Sequence, residues 1–174
     1  MSMSRNEKTA AIRKQLKAMG YNARQVSVRG SRCTYSSSID VTIKDASVPL
    51  PAVKAVVDQY TAVRRCEVSG DILGGGNTYT SVDYAHDIVT AKAEQIEPQL
   101  SDEPGRDVVV EGVRVTRDND PNRPYDTSYT LAAEHADLND CERWYDKQSA
   151  ARGVAIALFS RGYEHCGQWV SLDK

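Results

Sequence analysis

Apolar residues recur at helical spacing at the start of the chain. Ile12, Leu16 and Met19 form one stripe, and Arg13, Lys14 and Lys17 fall on the other side. Ser4 followed by Glu7 makes a capping box, and Gly20 supplies a C-terminal stop, so the spacing predicts a helix ending at Met19. The period then changes to two. Val26 and Val28 alternate with Gln25, Ser27 and Arg29, and Ile39, Val41 and Ile43 alternate with Asp40, Thr42 and Lys44. Such alternation predicts two half-buried strands. The residues between them, Gly30 to Ser38, read as a long loop that is basic and crowded with hydroxyls.

A second helix is expected after Pro49 and Pro51, with Leu50, Val53, Val56, Val57 and Tyr60 as its apolar stripe. Cys66 to Leu73 and Thr78 to Tyr84 read as two strands around a turn at Gly74-Gly75-Gly76-Asn77. The first part is then an α-β-β-α-β-β unit, with helices on one face of a small antiparallel sheet. Ala85 to Glu97 is expected to be helical through Val89, Ala93 and Ile96. Pro98 and Ser101 to Gly105 mark an internal boundary. This divides the chain into an α+β domain over 1–97 and a second region over 106–174.

Val108 to Val115 reads as one strand with Gly112 as a candidate bulge, and Thr127 to Ala132 as its return. Asn139 and Glu142 fit a capping pattern that opens a helix to about Arg161, burying Trp144, Ala151, Ala155 and Leu158. Gly162 closes it, and the tail with Trp169 and Val170 is a candidate short strand. The fold class expected is α+β: small antiparallel β-sheets covered by helices.

The 174 residues are 40% hydrophobic and 26% charged, ordinary for a globular chain long enough to bury a core without disulfides or metals. No apolar run approaches the roughly 20 residues that span a bilayer, and the polar N-terminus lacks the apolar stretch of a signal peptide. A cytoplasmic protein with reduced cysteines and no membrane partner is expected. The formal net charge of −2 hides a division. Met1 to Arg65 carries 12 Lys or Arg against 4 Asp or Glu, and the remainder carries 10 against 20. Such asymmetry points to a partner with its own strong field, or to two halves that attract each other.

The segments Ile12-Arg13-Lys14-Gln15-Leu16-Lys17, Val26-Ser27-Val28-Arg29 and Ser38-Ile39-Asp40-Val41-Thr42-Ile43-Lys44-Asp45 carry a resemblance. Over residues 11–84 the chain resembles large polyvalent protein associated domain 29, a small α+β domain of phage and conjugative-element proteins. Members often have an aromatic where Ile43 stands and a Gly-Pro turn where Ala46 to Pro49 stands. The family's role is poorly defined and assigns no catalytic residue. What the resemblance implies is a mobile-element protein acting in a bacterial host, where such accessory proteins often interfere with defence.

Enzyme chemistry finds little footing. Cys33, Cys66, Cys141 and Cys166 contain no C-x-x-C pair, His135 has no partner four residues on, and His165-Cys166 are adjacent. There is no G-x-S-x-G elbow, and the glycines at 74–76 are not followed by Lys-Ser/Thr as in a P-loop. Cys33 in a basic loop is a candidate for a lowered pKa, and a small, semi-buried thiol is the favoured reading of it. No cofactor, metal or catalytic residue is expected.

Binding has more basis. Arg13, Lys14, Lys17, Arg24, Arg29 and Arg32 are candidate phosphate contacts for DNA or RNA, with Tyr21 and Tyr35 as stacking surfaces. Glu134, Asp137, Asp140 and Glu142 head an acidic cluster that a DNA-binding host protein could take for phosphates. The expectation is a non-catalytic accessory protein that binds a host protein or nucleoprotein complex, of the anti-CRISPR or anti-restriction type. Direct nucleic-acid binding is the alternative, and an enzyme with an unrecognised site the third.

Overall fold

The computed structural model describes residues 3–32, 34–118, 128–136 and 141–173. The chain forms two compact units, Met1–Ala85 and His86–Lys174. Both are mixed α and β, with helices on small sheets, as the α+β expectation has it.

The first unit runs α1 (Arg5–Ala18), β1 (Val26–Arg32), β2 (Ser36–Ile43), α2 (Leu50–Val57) and β3 (Asn77–Tyr84). Ser4 Oγ accepts the Glu7 amide, and the Glu7 carboxylate accepts the Ser4 amide, so the capping box forms as the sequence predicts. The sheet order is β1-β2-β3. β1 and β2 are antiparallel, whereas β2 and β3 run parallel across the α2 crossover. Ile12 and Leu16 of α1 and Val53 and Val57 of α2 are buried with Val26, Val28, Ile39, Val41, Ile43 and Tyr84 of the sheet. Each such side chain contributes roughly 1.5–3 kcal/mol by burial.

Three expectations for this unit are corrected. Gly30 to Ser38 is mostly strand, because Ser31 pairs with Ser38 and Arg32 with Ser37. Hydroxyl-bearing side chains suit an uncovered sheet face, so their polarity did not mark a loop. Cys66 to Leu73 forms no strand and makes only an isolated bridge, Arg65 to Ile72. Val68 there is 97% exposed, so the segment has nothing to bury, and β3 takes its pairing from β2 instead. Met19 is not on the buried stripe; it caps α1 and is 46% exposed.

The second unit runs α3 (His86–Ile96), β4 (Asp107–Val110), β5 (Val113–Arg117), β6 (Tyr129–Ala133), β7 (Glu142–Trp144), α4 (Lys147–Ser160), β8 (Gly162–His165) and β9 (Gln168–Ser171). β4 to β7 form an antiparallel sheet in sequence order, and β8 and β9 form a hairpin. α3 packs on α4, so the division between units precedes α3 instead of following it at 101–105.

Val108 to Val115 is a hairpin, not one bulged strand. Glu111 and Gly112 both take positive φ, 49° and 89°, which is the two-residue turn that suits strand twist. The last helix opens later than expected. Its cap is Asp146, whose carboxylate accepts the Ser149 amide at 2.7 Å, whereas Glu142 and Trp144 lie on β7. Asn139 lies outside the described residues. The buried side of α4 is small: Ala150, Ala151, Gly153, Val154, Ala155 and Ala157. That lets the Trp144 ring lie directly on the backbone at Gly153.

Candidate anion-binding site

The side of the β1-β2-β3 sheet that faces its helices changes character along its length. At one end stand Val26, Ile43 and Tyr84 in register, followed by Val28, Val41 and Val82. The next row is Gly30, Ile39 and Thr80, and the last is Arg32, Ser37 and Thr78. Alternation keeps all four rows on one face. The apolar rows are closed by α1 and α2. At the polar end a cleft of about 540 Å³ opens, lined mostly by polar side chains together with Met3 and Tyr35.

Gly30 is what brings α1 close here. A Cβ at that position would lie 3.0 Å from Thr9 Oγ1 and 3.2 Å from Arg5 Cδ. Lys8 extends from the same helix, one turn before Ile12. It is only 8% exposed, and its ammonium donates to Thr78 Oγ1 at 2.9 Å and to the Tyr60 carbonyl at 3.3 Å. The Thr78 hydroxyl in turn lies 3.3 Å from Ser37 Oγ. The opposite wall is the hairpin tip and the glycine-rich segment, joined where the Gly76 amide donates to the Tyr35 carbonyl at 3.0 Å.

Arg5, Lys8 and Arg32 therefore share a cleft whose other linings include Ser36, Ser37, Thr34 and Tyr35. Among the described residues no Asp or Glu lines it, and none pairs with any of the three cations. The Glu7 carboxylate is held by Ser4, an association that lowers its pKa, and it already occupies the positive end of α1. The pull on an anion thus comes from side chains and hydroxyls, not from free helix amides.

Of the six basic residues singled out from the sequence, only Arg32 lines this cleft. Arg13 and Lys17 line a second cavity of about 540 Å³ beside Leu16, Tyr21, Val26 and Val28. The Arg13 guanidinium donates to the Val28 carbonyl at 2.6 Å, so it also covers backbone on the free edge of β1. Lys14, Arg24 and Arg29 are exposed and belong to neither cavity. Arg29 stands opposite Asp40, which accepts from Ser38 and Ser81. Sequence reasoning missed Arg5 and Lys8. The signal for Lys8 was present, since it precedes Ile12 and Leu16 at intervals of four on the apolar stripe.

Two of the four acidic candidates fall among the described residues. Glu134 is exposed, Glu142 is partly buried on β7, and Asp137 and Asp140 lie outside the described residues. Burial pushes the Glu142 carboxyl above its usual range, which disfavours its charged form.

The thiols are scattered. Cys66, Cys141 and Cys166 are free, and Cys33 lies outside the described residues. The Ser69 hydroxyl and nearby amides hold the Cys66 thiol down at about 7. Cys166 Sγ lies 3.4 Å from His165 Nε2 at the exposed tip of the β8-β9 hairpin. Among the described residues no group of three His, Cys, Asp or Glu could hold a metal ion. No helix among them is long and apolar enough to cross a membrane.

Compared with protein-family models, with curated proteins and with solved structures, the chain has no match in any of the three.

Proposed function

We propose that the Met1–Ala85 unit binds nucleic acid through its phosphates, as the binding module of a non-catalytic accessory protein. The observation that carries this reading is the cleft in which Arg5, Lys8 and Arg32 meet without a described carboxylate. Three cations placed among hydroxyls match phosphate oxygens in both charge and hydrogen bonding. The unit as a whole carries 12 Lys or Arg against 7 Asp or Glu, so its field favours an anionic partner.

A host nucleoprotein complex fits this reading as a target, because its nucleic acid presents the same phosphates. The resemblance to the polyvalent-protein domain supplies the setting, a mobile-element protein acting in a bacterial cell. The rival in which acidic residues stand in for phosphates rests on Glu134, Asp137, Asp140 and Glu142, of which Asp137 and Asp140 lie outside the described residues.

The test is fluorescence anisotropy with a labelled single-stranded oligonucleotide across a salt series. Each phosphate that the protein neutralises adds about −0.7 to the slope of log affinity against log salt for a single strand, so a clearly negative slope is expected. Absence of binding, or binding indifferent to salt, overturns the reading.

A further inference from the structure

We infer that the cleft receives a terminal phosphomonoester, the phosphorylated end of a single strand, in preference to an internal phosphodiester. This rests on the phosphate-binding reading above and narrows it. A phosphomonoester carries about −1.5 to −2 charges near neutral pH, while each internal phosphate carries one. Arg5, Lys8 and Arg32 together supply three positive charges, and no described carboxylate in the cleft offsets them. That excess suits a dianion better than a monoanion.

The burial of Lys8 argues the same way. Lys8 lines the cleft with only 8% of its surface exposed, Thr78 stands beside its ammonium, and Ser37 stands beside Thr78. An internal phosphodiester is attached on both sides, so two chain directions must leave the site around any phosphate that reaches Lys8. A terminal phosphate is attached on one side and can project inwards. Arg5 and Arg32 then meet its outer oxygens, and the Ser36 and Ser37 hydroxyls supply further donors.

The size of the cleft also exceeds a bare phosphate. About 540 Å³ falls in the range of pockets that hold small organic ligands, so a sugar and a base can follow the phosphate in. Tyr35 stands at the hairpin tip with 76% of its surface exposed, an uncovered ring on which a terminal base can stack. The same chemistry is offered by a free nucleoside monophosphate, and the experiment separates the two sources.

Three internally labelled decanucleotides of one sequence are titrated with the intact protein: one with a 5′-phosphate, one with a 3′-phosphate and one with hydroxyls at both ends. Nucleoside monophosphate and nucleoside serve as competitors. The expected result is that one phosphorylated strand binds at least tenfold tighter than the hydroxyl-ended strand. Lys8→Met and, separately, the exposed-site change Arg32→Ala should each pull that ratio towards one, with circular dichroism confirming the fold. A strand preference that competing monophosphate displaces only at far higher concentration assigns the site to strand ends. Displacement by monophosphate at matching concentration overturns the strand-end assignment in favour of a free nucleotide. Equal binding of all three strands overturns end recognition and leaves phosphate binding standing. Binding of none overturns both.

Discussion

The Lys8 ammonium donates to the Thr78 hydroxyl at 2.9 Å, joining the first helix to the start of a strand 70 residues away. No described carboxylate accompanies that buried charge. A buried cation without a counterion is costly, and two hydrogen bonds offset only part of the cost. Such an arrangement is expected where an anion from outside completes the pairing.

Lys8→Met keeps an unbranched side chain, one atom shorter, and removes the charge. Unfolding free energy is expected to stay level or to rise by about 1–2 kcal/mol, while affinity for nucleic acid falls about tenfold. Urea denaturation and anisotropy measured on one preparation check both. A loss of stability together with unchanged affinity would make Lys8 a structural residue.

Trp144 and Gly153 give the second unit a tight contact. A Cβ at Gly153 would lie 2.5 Å from Trp144 Cε2. Gly153→Ala gains about 1 kcal/mol of helix propensity but overpacks the ring by about 1–3 kcal/mol. A net loss of about 0–2 kcal/mol is expected on those terms, with a shift in tryptophan fluorescence. A stabilised variant would mean that the ring has room to move.

Asp146 caps α4, and the Ser149 amide and hydroxyl hold its carboxyl below the usual carboxylate range. A depressed folded-state pKa means that the capping contribution is present above the unfolded value near 3.9 and is lost as pH falls through the folded value. Asp146→Asn is therefore expected to flatten the stability profile of the second unit below about pH 4. Asp146→Ala should cost about 1 kcal/mol at neutral pH. Denaturation curves from pH 2 to 7 show whether both hold.

Cys66 has a thiol at about 7, well under the usual range, through the Ser69 hydroxyl and the Ser69 and Val68 amides. Alkylation mapped to Cys66 by mass spectrometry is expected to reach half its maximal rate near pH 7. Ser69→Ala removes the first-named cause and should move that midpoint upwards. An unmoved midpoint would contradict the assignment.

Much of the fold was legible from periodicity. The α1 cap, the alternation of Val26 and Val28 with polar neighbours, and the α3 stripe of Val89, Ala93 and Ile96 all reflect burial of one face, which sequence records directly. Pairing was less legible. Nothing local to Asn77–Tyr84 states that it pairs parallel with β2, because a parallel partner lies across a crossover. The Glu111-Gly112 turn was missed because valines continue on both sides of it.

The site was legible in one member and hidden in two. Arg32 was visible because it sits among hydroxyls. Arg5 and Lys8 joined it only because Gly30 lets α1 approach the polar end of the sheet. A lysine on an apolar stripe was the one written clue, and it reads equally well as a snorkelling side chain.

The most direct measurement is an amide NMR titration of the isotopically labelled protein with a 5′-phosphorylated single strand. Binding in the cleft predicts that the largest shifts fall on Thr34 to Ser37 and Gly75 to Thr78, with smaller ones at Arg5 to Lys8. Shifts confined to the His86–Lys174 unit, or none at all, would contradict it.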